Sequence, residues 1–122
     1  MLSTKELCCF TAENPPGTVV LREIHIQEKY DEFCKDKENG KRFIQRVKDN
    51  LENNDYYYVD NDFPYYIEPH IKHMICWYKK GTLDSIISKL GKKNIVTYWE
   101  NLSHNKSVKD INHIHIFISK LK

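Results

Sequence analysis

The sequence predicts an α+β fold: two N-terminal amphipathic helices packed on a small sheet of three or more strands, with one further helix between strands. Three observations predict it. Apolar residues recur at helical spacing between residues 22 and 53, apolar residues alternate at a two-residue period in 71–78 and 113–118, and another helical stripe separates these strands at 83–90.

Ser3 with Glu6 three residues on has the capping-box pattern, so a short helix opens the chain before Pro15-Pro16-Gly17 turns it. Residues 1–21 are expected to form this N-terminal segment, a loosely attached tail, and residues 22–122 a single α+β domain. Ile26, Tyr30, Phe33 and Cys34 fall on one face of a helix over about 22–36. Gly40 is expected to break the run, after which Phe43, Ile44, Val47 and Leu51 give a second helix over about 41–53. Residues 55–69 read as a long loop holding Tyr56, Tyr57, Tyr58, Phe63, Tyr65 and Tyr66 and broken by Pro64 and Pro69. So much aromatic surface is costly to leave in water, which places the loop across the core or along a cleft.

Beyond residue 70 the period changes. Ile71, His73, Ile75 and Trp77 share one strand face. Thr82 can cap a helix carrying Leu83, Ile86, Ile87 and Leu90, with Gly91 at its end. Asn94 to Glu100 reads as a strand, and a polar loop leads to the last one, where Ile114, Ile116 and Ile118 oppose His113, His115 and Phe117.

Composition narrows the function classes. A chain of 122 residues suits one hydrophobic core, and 40% hydrophobic with 30% charged residues excludes wholesale disorder. The net charge of +2 supplies no DNA-binding signature. The two halves differ in sign: residues 1–61 hold 9 Lys and Arg against 12 Asp and Glu, and residues 62–122 hold 10 against 5, so an anionic ligand would favour the second half. Cys8, Cys9, Cys34 and Cys76 form no C-x-x-C motif. With neither a signal-like apolar run nor a membrane span, the expected setting is reducing and cytoplasmic.

The candidate chemistry lies in the histidines. His113 and His115 project from one strand face about 6 to 7 Å apart, and His73 joins them if its strand pairs in suitable register. Three readings stay open, and with them whether the protein is an enzyme. In the leading one, a small anionic ligand such as a nucleotide or sugar phosphate is held by Asn101, Lys106 and Ser107, with His73, His113 and His115 as acid-base groups. In the second, Trp99 and Glu100 with the loop aromatics sandwich and read a methylated base, as in recognition of an mRNA cap. In the third, the imidazoles hold zinc, iron or manganese, although no carboxylate at matching spacing completes a set. No glycine-rich phosphate loop is present and no cofactor is indicated.

Asn61-Asp62-Phe63-Pro64-Tyr65, the strand from His73 to Trp77, Trp99-Glu100-Asn101, Lys106-Ser107-Val108 and His113-Ile114-His115 occur in an order and spacing that resembles the N-acetylglucosamine-induced protein 1 family. That family is best known from fungi and is a domain of unknown function; the resemblance covers about residues 22–120. It implies one pocket formed by Asp62, Tyr65, His73, Trp77, Asn101, Lys106, Ser107, His113 and His115. Two positions depart from the family pattern, Phe63 where Trp is usual and Tyr66 where Gly is usual; the second raises the question of a positive φ.

Overall fold

The computed structural model describes residues 1–17, 20–91, 94–101 and 111–120. Along the chain the elements are α1 (Thr4–Leu7), α2 (Ile24–Lys35), α3 (Lys37–Glu52), β1 (Tyr56–Asp60), β2 (Ile71–Tyr78), α4 (Leu83–Leu90), β3 (Ile95–Trp99) and β4 (Asn112–Ser119). The strands form one antiparallel sheet in the order β1-β2-β4-β3. This is the α+β architecture expected, with helices before the sheet and one between strands.

The alternation in β2 and β4 divides the sheet into two faces, and both are covered. Met74, Cys76, Ile114 and Ile116 meet Ile86 and Ile87 of α4 on one side. Opposite them, Ile75 and Trp77 meet Val47 and Leu51 of α3. Burying an aliphatic side chain of this size stabilises by about 1.5–3 kcal/mol, so each helix is held mainly by its apolar stripe.

Local signals set the ends of α4. Thr82 Oγ1 accepts from Ser85 N at 3.1 Å and Ser85 Oγ accepts from Thr82 N at 2.9 Å, while Gly91 ends the helix at φ 81°. Thr82→Ala is expected to lower unfolding free energy by about 1 kcal/mol in urea titration.

Three expectations change. Gly40 lies inside α3, and the break comes at Asp36, whose extended backbone (φ −98°, ψ 108°) separates the helices and whose carboxylate caps Glu38 N at 2.9 Å. A glycine inside a helix costs it only about 1 kcal/mol, which Val47 and Leu51 offset by burial. Residues 56–60 of the presumed loop form the edge strand β1. Tyr57 and Val59 pack beneath α3 and Tyr56 and Tyr58 on the α4 side, so aromatic residues alternate with aromatic and aliphatic ones and leave no polar face to read.

The N-terminal segment is part of the fold rather than a tail. Leu2 bridges Ile67 in parallel, Leu7 is 0% exposed among Tyr65, Trp99 and Phe117, and Phe10 packs edge-on to Trp99 at 5.7 Å. Glu68 accepts from Thr4 N at 2.9 Å, and Thr97 Oγ1 donates to Phe10 O at 2.6 Å. Tyr66 makes backbone bonds to Leu21 and Leu2 and lacks a positive φ, which among the described non-glycine residues belongs to Asn94, so the residue standing where the resembled family has Gly imposes no strain. Among the described residues no helix is long and apolar enough to cross a membrane.

Candidate functional site

Period-two alternation puts His73, His113 and His115 on the face beneath α2 and α3, and strand register decides how they meet. His73 lies opposite Phe117, Ile75 opposite His115 and Trp77 opposite His113. His73 and His115 are therefore diagonal neighbours, with His73 Nε2 and His115 Nδ1 at 2.8 Å. His113 packs instead on Trp77, ring centres 4.6 Å apart, and donates from Nδ1 to Ile111 O at 3.4 Å.

The hydrogen bonds around the pair define where its protons sit. Tyr65 N donates to His73 Nδ1 at 3.1 Å, so the neutral ring carries its proton on Nε2 and gives it to His115 Nδ1. His115 then holds its own proton on Nε2, 3.1 Å from the side-chain amide of Asn101. Trp99 Nε1 donates to Asn101 Oδ1 at 3.0 Å, which turns the amide nitrogen toward His115 and the Tyr65 hydroxyl, 3.3 Å away. Tyr65 packs on both rings, tilted to His73 with ring centres 4.5 Å apart and stacked on His115 at 5.3 Å.

This network has donors to spare, and a further proton on His73 Nδ1 would displace the Tyr65 N–H. Burial also opposes protonation: His73 is 3% and His115 5% exposed. Desolvation, assisted by the Arg22 guanidinium, holds His73 down to about 3. Desolvation, then His73, His113 and Arg22, holds His115 well below the usual imidazole range. Both rings are neutral at pH 7. They are hydrogen-bonding groups there, and the positive charge available to an anion must come from elsewhere.

A cavity of about 250 Å³ opens between the α2–α3 pair and this sheet face. His113, His115, Ile75 and Trp77 line its sheet side, Tyr30, Phe33, Cys34, Phe43 and Ile44 its helix side, and Asp60 at the end of β1 with Asn61, Asp62 and Phe63 after it the remaining side. Phe63 packs on Tyr30 and Phe33, with ring centres 5.3 Å away in each case. Arg22 and Arg46 reach the same space. Arg22 Nε donates to Phe63 O at 2.7 Å and its guanidinium lies 4.2 Å above the Tyr30 ring; that of Arg46 lies 5.5 Å from Phe43. Among the described residues neither guanidinium pairs with a carboxylate, whereas Asp60 pairs with Lys72 at 3.1 Å.

The residues expected from sequence fall into separate places. Asp62, Trp77, His113 and His115 line the cavity. Tyr65, His73, Trp99 and Asn101 form the buried network beside it. Trp99 is 0% exposed and stacked on Phe117 at 4.6 Å, while Glu100 points to the opposite face and accepts from the Tyr78 hydroxyl at 3.3 Å, so these two do not form a sandwich for a base. Lys106 and Ser107 lie outside the described residues. Among the described residues no three His, Cys, Asp or Glu side chains are grouped to hold a metal ion. Sequence reading missed Arg22, Arg46 and the role of Phe43. Their signal was faint: a basic residue beside an apolar helix stripe, which also describes ordinary snorkelling on a core helix.

A family model described as "Protein of unknown function (DUF3605)" matches residues 18–85, which include α2, α3, β1 and β2. No curated protein matches the sequence. Among solved structures, the chain is similar to one titled "Crystal Structure of HTC1", with 19% identity and a TM-score of 0.60, covering 82% of this chain and 76% of that one. At this identity the similarity is one of fold.

Proposed function

The chain belongs to the DUF3605 family of proteins of unknown function, and from that premise we propose that it is a binding module for a small anionic ligand, seated in the cavity between the α2–α3 pair and the histidine-bearing sheet face. The motif order from Asn61 to His115 supports a likeness to the N-acetylglucosamine-induced protein 1 proteins as part of this proposal. The observation that supports the binding reading is the pairing of an aromatic-walled cavity of about 250 Å³ with two guanidinium groups, Arg22 and Arg46, that lack a carboxylate partner among the described residues.

The aromatic walls supply apolar contact, and a guanidinium beside partly desolvated space binds a carboxylate or phosphate more strongly than it would in water. Asp62 at the cavity opposes part of this charge, and Asp60 is already neutralised by Lys72. His115 serves as a neutral wall rather than a source of charge. The hydrogen bond it accepts from His73 and its stacking against Tyr65 fix its ring, which favours a shaped site over an adaptable one. Lys106 and Ser107 carry none of this reading.

Inorganic phosphate, sugar phosphates, nucleoside monophosphates and benzoate, each added in excess, test it by thermal shift. An anion at a hundred times its Kd stabilises by about 2.7 kcal/mol. The expected result is an upward shift with at least one of them that vanishes in Arg46→Ala. Unmoved melting across the whole set, or shifts of equal size in the variant, would count decisively against an anion site at this place.

A further inference from the structure

Trp77 contributes a feature that anion binding by Arg22 and Arg46 leaves unused. Its side chain is 2% exposed, it lines the cavity, and it packs edge-on to Phe43 with ring centres 5.5 Å apart. Among the described residues its Nε1–H is the buried side-chain polar atom with no hydrogen-bond partner. Buried donors nearly always find an acceptor, and the protein's other tryptophan does so, Trp99 donating to Asn101 at 3.0 Å. An indole nitrogen can only donate. A ligand that satisfies Trp77 must therefore bring an acceptor atom to the sheet side of the cavity.

Resting on the anion-site reading, we propose that the ligand is a single-ring planar acid: its ring lies among the aromatic side chains, a ring nitrogen or carbonyl oxygen accepts the Trp77 Nε1–H, and its anionic group faces Arg46. Three observations converge on this class. The volume of about 250 Å³ is below the roughly 300–1,000 Å³ of sites for drug-sized ligands, which leaves room for one ring with its substituents. Tyr30, Phe33, Phe43, Phe63 and Trp77 offer faces and edges that suit a flat ring. The unpartnered Trp77 Nε1–H adds the requirement for an acceptor atom on that ring.

Matched acids test the assignment. Benzoate supplies ring and carboxylate without a ring acceptor; nicotinate and isonicotinate add a ring nitrogen, and orotate adds ring carbonyls. By calorimetry, at least one of the three heteroaromatic acids is expected to bind about tenfold tighter than benzoate, as one hydrogen bond in a dry site supplies. Trp77→Phe, which keeps an aromatic ring and removes the N–H, is expected to erase that advantage. In case the variant folds poorly, the wild-type protein gives a second reading: the chain has two tryptophans, and one of the two indole N–H resonances in a nitrogen-15 correlation spectrum should move downfield with the heteroaromatic acid and not with benzoate. Arg46-dependent benzoate binding without any heteroaromatic advantage, an advantage that persists in Trp77→Phe, or two unmoved indole signals would each overturn the Trp77 assignment alone. If none of the four acids binds and the broader anion set also fails, the anion site falls with it.

Discussion

Lowering the pH from 7 to 5 is expected to destabilise the protein by about 2 kcal/mol through His73 and further through His115, a large share of the stability of a domain this size. The cause is the His73–His115 pair. In the unfolded chain both imidazoles take up protons near pH 6.5. In the fold His73 resists until about pH 3 and His115 is held well below the usual range, chiefly by burial. Over this interval the unfolded state binds more protons, so stability rises with pH: it is fully present above about 6.5 and drains away as the pH falls, at up to about 1.4 kcal/mol per pH unit for each ring. Urea unfolding at half-unit steps between pH 7.5 and 4.5 measures the slope. His115→Gln removes one of the two titrating groups and should make the slope shallower, whatever its effect on stability at pH 7. A flat profile between pH 7 and 5 would mean that water reaches the pair and that the network around Tyr65 and Asn101 does not hold in solution.

Trp99→Ala is expected to cost about 3–5 kcal/mol, the usual loss when a buried tryptophan is removed from a close-packed core. Trp99 is 0% exposed, stacked on Phe117, edge-on to Phe10, and hydrogen-bonded through its indole to Asn101. Trp99→Phe retains ring packing but leaves Asn101 Oδ1 without that donor, so a loss nearer 1–3 kcal/mol is expected. Chemical denaturation at pH 7.5 separates the two. A Trp99→Ala protein as stable as wild type would place the indole at the surface, where the reading of Trp99 and Glu100 as a base-binding pair would regain its footing.

The same residue explains why part of the site was legible before folding and part was not. Trp99-Glu100 suggests an aromatic plane beside a carboxylate when read as a dipeptide. In a strand, however, adjacent residues face opposite ways, and here both faces are covered, so the tryptophan packs under the N-terminal segment and the glutamate meets Tyr78. For Arg22 and Arg46 the difficulty is different. Arg22 precedes α2 and Arg46 lies in α3, and these helices carry apolar stripes whose spacing is the same whether the stripe seals a core or stops short of the sheet and leaves a cavity. Distances between elements separate those cases, and local sequence does not encode them one residue at a time.

What the sequence by itself determined is therefore periodic and local: α2 and α3 as amphipathic helices, α4 between Thr82 and Gly91, the strand character of β2, β3 and β4, and the placing of His73, His113 and His115 on one side of their strands. Only the tertiary structure decided that residues 56–60 join the sheet, that Leu7 is a core residue, that His73 meets His115 while His113 meets Trp77, and that burial holds the His73 and His115 rings neutral. The physical reason is that side-chain direction follows from the two-residue and 3.6-residue repeats of a single segment. Register, burial and the proton affinity that burial sets depend on which segments, far apart in the chain, exclude water from one another.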